Sequence, residues 1–143
     1  MLPAYDPDNI FAKILRGEAP CTRVFEDDHC LAFMDIMPRT PGHALVIPKV
    51  PARNLLDMPP AALALFIPSV QKVAIAAKAA MGADGLSILQ FNESAGGQVV
   101  FHLHFHILPR WSGVELRPPA GPIEKSDTLA AVAAKIAERL RAA

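Results

Sequence analysis

The sequence has little cysteine and no net excess of charge, and both features restrict the class of protein. Cys21 and Cys30 are its only cysteines and form no Cys-x-x-Cys pair, so we expect two free thiols in a reducing cytoplasm rather than a disulfide scaffold. Lys plus Arg and Asp plus Glu each total 14, giving zero net charge with histidine neutral. This balance argues against a nucleic acid or an anionic membrane surface as partner, although a single small anion remains compatible with it.

The sequence also lacks an uninterrupted apolar run of membrane-spanning length. Its most apolar stretch, residues 61–83, is broken by Pro68, Gln71, Lys72 and Lys78, which predicts no bilayer span. The first residues, MLPAYDPDN, contain no basic segment followed by an apolar core, so we expect no signal peptide. With 52% hydrophobic and 20% charged residues in a chain of 143, the composition is typical of one globular domain.

Apolar periodicity and turn residues predict a short helix followed by strands. Ile10, Phe11 and Ile14 share one helical face, Asp8 is placed to cap this helix, and Gly17 marks its end. Runs of strand-forming residues bounded by turn formers predict five strands, over residues 22–26, 30–35, 43–47, 86–91 and 99–108.

Two further helices complete the predicted order of helix, three strands, helix, two strands and helix. Pro59 and Pro60 open a long apolar pattern that ends at Gly82, and Pro68 inside it predicts a kink or two abutting helices. Ser126 caps a final amphipathic helix. Short connections between the strands favour an α+β fold with a mostly antiparallel sheet and helices packed on it.

The chemical signal is a strict alternation of histidine and apolar residues over positions 101–108, Phe-His-Leu-His-Phe-His-Ile-Leu. Successive side chains of a strand point to opposite faces, so His102, His104 and His106 are predicted to share one face. The apolar residues between them are predicted to face the core. Protonated imidazoles on one strand face repel each other, so an ordinary polar face is a poor explanation for this row.

Two chemical roles fit such a row. All three histidines cannot reach one metal ion, because the outer two are about 13 Å apart on a strand and metal–nitrogen bonds are about 2 Å. A metal site would therefore need outside ligands such as His43, Asp35 or a cysteine. Alternatively, a neutral imidazole attacks phosphorus through one ring nitrogen while its neighbours donate hydrogen bonds to the phosphate oxygens.

The loop before the histidine row favours a phosphate ligand. Residues 92–98 contain Asn92, Gly96, Gly97 and Gln98, which bring two glycines and two amides to the predicted histidine face. Glycines allow backbone N–H groups to approach a phosphate closely.

Residues 102–108 resemble the defining signature of the histidine triad family, His-φ-His-φ-His-φ-φ, in which φ is apolar. Asn92 and Gly97-Gln98 resemble the family's usual lead-in, and Pro109-Arg110 resembles its sequel. Upstream stretches that resemble the family's first helix and strands lie at 10–14, 25–28, 33–36 and 41–49. The resemblance implies a HIT-like fold with a roughly five-stranded sheet over residues 8–111, followed by a connector and C-terminal helix over 112–143.

The resemblance further implies a mechanism. His104 would attack the α-phosphorus of a purine nucleotide ester, anhydride or phosphoramidate, forming a nucleotidyl-histidine intermediate that water hydrolyses. His102 and His106 would orient the nucleophile and stabilise phosphate oxygens, and His43 would help pass a proton to the leaving group.

A nucleotide pocket is implied in the same way. The phosphate would be held by Asn92, Gln98 and the backbone near Gly97 and Val99, and the ribose by Asp35. The apolar wall around the base would be formed by Ile10, Phe11, Ile14, Phe33 and Ile36.

Three positions bear on how closely this chain follows the family pattern. Val99 stands where many relatives have Ser or Thr, so no hydroxyl reaches the phosphate there. The stretch from Asn9 to Ala12 lacks the Cys-x-x-Cys that holds a structural zinc in some bacterial relatives, so we expect no metal. His106 is retained where related nucleotidylyl transferases have Gln, which favours hydrolysis.

The resemblance therefore implies a cytoplasmic nucleotide hydrolase without cofactor or metal, acting as a homodimer whose two sheets join edge to edge. No nucleic acid or membrane partner is expected. Two alternatives remain open, a nucleotide-binding regulatory protein with little turnover and a metal-dependent hydrolase. The leaving group also remains open between phosphoramidates, adenylylated amines and dinucleoside polyphosphates.

Overall fold

A computed structural model describes residues 1–142 and has an α+β architecture, as the sequence predicted. Over these residues it forms three α-helices, α1 (Ile10–Leu15), α2 (Pro60–Met81) and α3 (Ser126–Ala142), and two short 3-10 helices, Leu55–Asp57 and Ser94–Gly96. The strands are β1 (Arg23–Glu26), β2 (Cys30–Met34), β3 (Ala44–Pro48), β4 (Gly85–Leu89) and β5 (Phe105–Arg110). Ala143, the end of the predicted C-terminal segment, lies outside the described residues.

The five strands form one antiparallel sheet in the order β1-β2-β3-β5-β4. Strand β5 lies between β3 and β4, which places it inside the sheet. In the pairing of β3 with β5, His106 lies opposite Leu45 and Ile107 lies opposite Ala44. The two residues of β5 therefore face opposite sides of the sheet.

Each face of the sheet covers a separate apolar core. On one face, α2 and α3 pack on a cluster that includes Ala44, Val46 and Ile107. On the other face, α1 contributes Phe11 to a smaller cluster with Leu45 and Ile47. His106 shares this second face with Leu45, so the histidine site forms on the side of α1.

The predicted strand over residues 99–108 is wrong in its first half, because β5 begins only at Phe105. His102 and His104 therefore precede the strand. The backbone of the preceding segment bonds to loops: Leu103 N donates to Ala52 O at 2.9 Å, and Val100 O accepts from Gln98 Nε2 at 3.0 Å. The other four strands agree with prediction to within two residues.

Helix α2 is continuous from Pro60 to Met81, so of the two alternatives expected at Pro68 the division into two helices is wrong, and the kink stays a prediction. Pro68 lies on the exposed side of the helix, while Phe66, Val70 and Val73 hold the opposite side in the larger core. By length and composition alone α2 is apolar enough to cross a membrane despite its interrupting residues, and the expectation of no bilayer span stays a prediction. Its apolar character matches its packing on the sheet, as for the core helix of a globular domain.

The cap of α1 also differs from prediction. Asn9, not Asp8, is the N-cap residue, and its Oδ1 accepts a hydrogen bond from Ala12 N at 2.9 Å. The Asp8 backbone N–H instead bonds to Asp6 Oδ1 at 2.8 Å. The helix ends at Leu15 and Gly17 follows with a φ of 77°, in agreement with the predicted stop.

Candidate active site

Four histidines meet on the α1 side of the sheet. His106 lies on β5, His102 and His104 lie in the segment before it, and His43 directly precedes β3. The ring centroid of His106 is 5.0 Å from that of His104 and 5.2 Å from that of His43. The structure thus brings together all four histidines that the sequence assigned to one site.

The contacts of His104 determine its tautomer. Its Nδ1 lies 2.7 Å from the backbone oxygen of His102, and a carbonyl oxygen only accepts, so Nδ1 carries the proton. The Nε2 lone pair is then available for attack. Phe11 packs edge-on against the His104 ring, with centroids 4.9 Å apart and an interplanar angle of 85°. The imidazole is therefore held by a hydrogen bond and by an aromatic contact.

His102 uses both of its ring nitrogens within the protein. Its Nε2 donates to Pro48 O at 2.9 Å, and its Nδ1 accepts from the Tyr5 hydroxyl at 2.6 Å. The residue is only 1% exposed. The family resemblance implies that this imidazole contacts a phosphate oxygen, and such a contact would require one of these two bonds to break. The orienting role implied for His102 agrees with the hydrogen bond between its carbonyl oxygen and His104 Nδ1.

His43 and His106 form a second hydrogen-bonded pair. Arg39 N donates to His43 Nδ1 at 3.1 Å, so the proton of neutral His43 is on Nε2. That Nε2 lies 2.9 Å from His106 Nδ1 and 3.4 Å from Asp35 Oδ2. With its Nδ1 accepting from His43, neutral His106 carries a proton on Nε2, a donor suited to a phosphate oxygen.

Burial keeps the imidazoles neutral near pH 7. It lowers the pKa of His43 to about 3 and the pKa values of His102 and His106 to about 4, and it also lowers the pKa of His104. Neighbouring positive charge adds to this effect at His43 and His106, where Arg39 contributes. Neutrality matters because only an unprotonated ring nitrogen is a nucleophile.

Among the described residues, one group has the spacing of metal ligands. It consists of Asp35, His43 and His106, and one ligand atom from each lies within 4.8 Å of the others. Hydrogen bonding between His43 and His106 already accounts for their approach. The charge of Arg39 that disfavours a proton on these rings also disfavours a cation. The expectation that no metal is needed stays a prediction.

The predicted phosphate loop is anchored by Gln98. This side chain is 4% exposed, and its Nε2 donates to Arg53 O at 2.7 Å and to Val100 O at 3.0 Å. Its Oε1 accepts from Glu93 N at 2.8 Å and from Asn54 Nδ2 at 3.1 Å. Because its polar atoms are bonded inside the protein, the side chain shapes the loop, and any contact with phosphate falls to the backbone.

Other loop positions have distinct surroundings. Asn92 Oδ1 accepts from Leu55 N at 3.0 Å, which ties the loop to the turn after β3. Gly97 has a φ of 101°, and a Cβ there would lie 3.4 Å from the Phe91 ring, so the turn favours glycine. The Phe91 ring lies 5.7 Å from that of His106. Val99 is 84% exposed, leaving this position open to a ligand.

Sequence reasoning missed an ion pair that supports this loop. Arg53 binds both carboxylate oxygens of Glu93, through Nε at 2.8 Å and through Nη2 at 3.0 Å. The Arg53 guanidinium also lies 4.1 Å from the centroid of Phe101. Arg53 and Glu93 are 40 residues apart, and no local pattern signals such a pair.

The residues implied to surround the nucleoside fall into two groups. Phe11 and Phe33 are buried and in contact with each other in the smaller core, with ring centroids 5.4 Å apart. Ile10 and Ile36 are about half exposed, and Ile14 packs at the margin of that core. The exposed isoleucines are thus accessible to a base, whereas the two phenylalanines are buried in the smaller core.

Asp35, the residue implied to bind ribose, lies at the His43 side of the site. Its Oδ1 accepts from Met37 N at 2.8 Å, and burial raises the pKa of its carboxyl. Oδ2 is the oxygen that faces His43. The ribose contact stays a prediction.

Comparison with known proteins shows that this arrangement has relatives. The HIT domain family matches residues 16–113. The chain is 39% identical over 124 residues to adenylylsulfatase HINT3 of Arabidopsis thaliana, a match that covers 82% of this chain but only 63% of the plant protein. It is 41% identical over 102 residues to adenosine 5'-monophosphoramidase hnt1 of Schizosaccharomyces pombe, covering 71% of this chain and 73% of the yeast protein.

A solved structure extends the likeness to nearly the whole chain. It is that of a Hit-like protein involved in cell-cycle regulation from Bartonella henselae, which is 52% identical and superimposes with a TM-score of 0.92. The match covers 96% of this chain and 99% of the Bartonella chain.

Proposed function

Because this chain belongs to the histidine triad (HIT) family and is one of its nucleotide-binding proteins, we propose that it hydrolyses purine nucleotide conjugates at the α-phosphate. The observation that carries the proposal is the hydrogen bond from His104 Nδ1 to His102 O, which leaves Nε2 as a buried, neutral nucleophile. The names of the plant and yeast relatives, an adenylylsulfatase and a phosphoramidase, support a hydrolytic reaction on adenylyl substrates.

The reaction proceeds in two steps. His104 Nε2 forms a bond to the α-phosphorus while the bond from phosphorus to the leaving group breaks. The hydrogen bond from Nδ1–H to the His102 carbonyl stabilises the positive charge that develops on the imidazole. Water then attacks the same phosphorus, restores neutral His104 and releases the nucleoside monophosphate. The role proposed for His43 is to pass a proton towards the leaving group through His106 Nδ1, each neutral imidazole gaining one proton as it gives one up. The proton taken up by the leaving group in the first step is balanced by the proton that water loses in the second.

His104→Ala is the direct test, because it removes the proposed nucleophile. We expect loss of turnover with AMP binding retained. Rapid quenching of the wild-type reaction followed by mass spectrometry is expected to find AMP attached to the peptide that contains His104. Turnover by His104→Ala at the wild-type rate would contradict the mechanism.

The leaving group requires a substrate panel. Adenylyl sulfate, an adenosine phosphoramidate and a diadenosine polyphosphate should be compared by kcat/KM, each with and without a chelator. Activity that survives the chelator separates this proposal from a metal-dependent hydrolase. Tight AMP binding without turnover of any member of the panel would instead favour a nucleotide-binding regulatory protein.

We also propose that the protein acts as a homodimer in the cytoplasm. Strand β4 is an edge strand of the sheet. Within the described residues no strand pairs with its outer edge, which is therefore available to a strand of a second copy. The free thiols of Cys21 and Cys30 agree with a reducing compartment.

A further inference from the structure

One contact of the histidine site comes from outside the family motif. Tyr5 lies in the segment before α1, and its hydroxyl oxygen is 2.6 Å from His102 Nδ1. The two rings meet edge-on, with centroids 5.7 Å apart and an interplanar angle of 68°. The positions are 97 residues apart in the chain.

The direction of this hydrogen bond follows from the other side of the ring. His102 Nε2 faces the carbonyl oxygen of Pro48, which only accepts, so the proton of neutral His102 is on Nε2. Nδ1 must therefore accept, and the Tyr5 hydroxyl donates. Bonds at both nitrogens fix the rotation of the ring as well as its tautomer.

His102 links Tyr5 to the nucleophile. The backbone oxygen of His102 accepts the Nδ1–H of His104 at 2.7 Å, so the position of His102 determines where that acceptor lies. Tyr5 is therefore separated from the nucleophile by a single residue. The same peptide unit is also held by Leu103 N, which donates to Ala52 O at 2.9 Å, so the bond from Tyr5 adds support from the side-chain end of His102.

The N-terminal segment is built to hold Tyr5 in place. Asn9 Nδ2 donates to Asp6 O at 2.8 Å, and Arg16 Nη1 donates to Pro7 O at 2.7 Å. These bonds fix the turn between Tyr5 and α1. Because α1 also supplies Phe11 to the ring of His104, one structural unit contacts both histidines.

We propose that Tyr5 is a positioning residue for the reaction, whose hydroxyl locks His102 and through the His102 carbonyl orients His104. This inference rests on the proposed nucleophilic role of His104. According to this proposal, the segment before α1 affects the chemical step and does not contact the nucleotide.

Tyr5→Phe tests the inference, since it removes only the hydroxyl. We expect kcat to fall about tenfold, the effect of one misplaced orienting contact, while the Kd for AMP stays within about twofold of wild type. Ser69→Ala is the matched control. It deletes a hydroxyl on α2 that also makes a hydrogen bond inside the protein, donating to Asp27 Oδ2 at 2.8 Å. A merely structural role for Tyr5 predicts that both variants lose some thermal stability and that neither loses kcat.

Nitrogen-15 NMR of the histidine rings gives a readout that is independent of turnover. Tyr5→Phe is expected to shift the His102 Nδ1 resonance and to leave the resonances of exposed His29 in place. An unmoved His102 resonance together with wild-type kcat would overturn the proposal.

Tyr5 is the only tyrosine in the sequence, which allows a rescue experiment. Growth on 3-fluorotyrosine alters this residue alone and keeps the hydroxyl donor, so kcat is expected to remain near wild type. Failure of the proposed function itself is distinguishable, because the wild type would then lack turnover or His104→Ala would retain it.

Discussion

The protonation states of the buried histidines decide what the site can do at the scale of single residues. In each imidazole one nitrogen is fixed as a donor or an acceptor by its neighbour. The neighbour is a backbone group for His104, His102 and His43, and it is the His43 ring for His106. Burial then favours the neutral form. The outcome is a free Nε2 lone pair on His104 beside an N–H donor on His106.

The same pKa shifts predict acid sensitivity. In the unfolded chain histidine titrates near 6.5, whereas His43, His102 and His106 titrate at about 3 to 4 when folded. Between these values the unfolded chain binds more protons, so stability is fully present above about pH 6.5 and falls as the pH decreases towards 4. Each group contributes a slope of up to about 1.4 kcal/mol per pH unit.

Urea unfolding followed by Trp111 fluorescence at a series of pH values measures this slope. His29→Gln, at an exposed position, is the control and is expected to leave the slope unchanged. A free energy of unfolding that is constant from pH 7 down to about pH 5 would contradict the assignment of buried neutral imidazoles.

Val99 offers a test of substrate preference at one side chain. Because Val99 is 84% exposed and Thr has nearly its shape, Val99→Thr should change stability by less than about 0.5 kcal/mol. A hydroxyl there would donate a hydrogen bond to the phosphate, which is expected to raise kcat/KM for an adenosine phosphoramidate about tenfold. The exposed Val114→Thr is the matched control, and an equal effect in both variants would rule out a local role for position 99.

At the scale of structural elements, the phosphate loop depends on partners from the turn after β3. Glu93 has a φ of 65°, which is unfavourable for a residue with a side chain by about 1–3 kcal/mol. Its carboxylate is held by Arg53 and by Asn54 Nδ2 at 2.7 Å, and its backbone N–H by Gln98. These bonds offset the backbone strain and keep the loop in one shape.

Glu93→Gln is expected to loosen the loop without touching the histidines. Loss of the charge-assisted bonds to Arg53 should raise KM about tenfold and leave the rate of His104 adenylylation at saturation within about twofold. Pre-steady-state kinetics separate the two quantities. Glu26→Gln is the control, since it breaks another ion pair, with Lys49 at 2.8 Å, away from the loop. An unchanged KM in Glu93→Gln would show that the pair does not shape the phosphate site.

At the scale of the whole molecule, β4 forms one edge of the sheet and exposes an apolar side chain there. Ile88 of β4 is exposed and pairs with Ile107, so it faces the same side of the sheet as α2. This residue agrees with the proposed homodimer, in which the β4 strands of two copies meet edge to edge.

Sedimentation equilibrium is expected to give a mass of two chains for the wild type and of one chain for Ile88→Lys. Lysine at this position places charge in the apolar contact, which is unfavourable unless it is solvated. Leu56→Lys, at another exposed apolar position in the turn after β3, is the control and should remain a dimer. A monomeric wild type at micromolar concentration would contradict the proposed assembly.

The sequence by itself determined the α+β class, the order of the elements and the set of histidines that form the site. These features depend on local periodicity and on a motif within seven consecutive residues, 102–108, which carry their information without reference to the rest of the chain. Even the error at the start of β5 left the grouping of the histidines correct, because Leu103 lies in the larger core while His102 and His104 meet on the other side of the segment.

Only the tertiary structure decided which group meets each ring nitrogen. Tyr5 reaches His102 across 97 residues, His43 reaches His106 across 63, and Arg53 reaches Glu93 across 40. Hydrogen bonds depend on distances of a few tenths of an ångström, which follow from the packing of α1 and the loops on the sheet. No local pattern encodes that packing, and therefore the tautomer of His104 and the bond from Tyr5 to His102 became visible only in the folded chain.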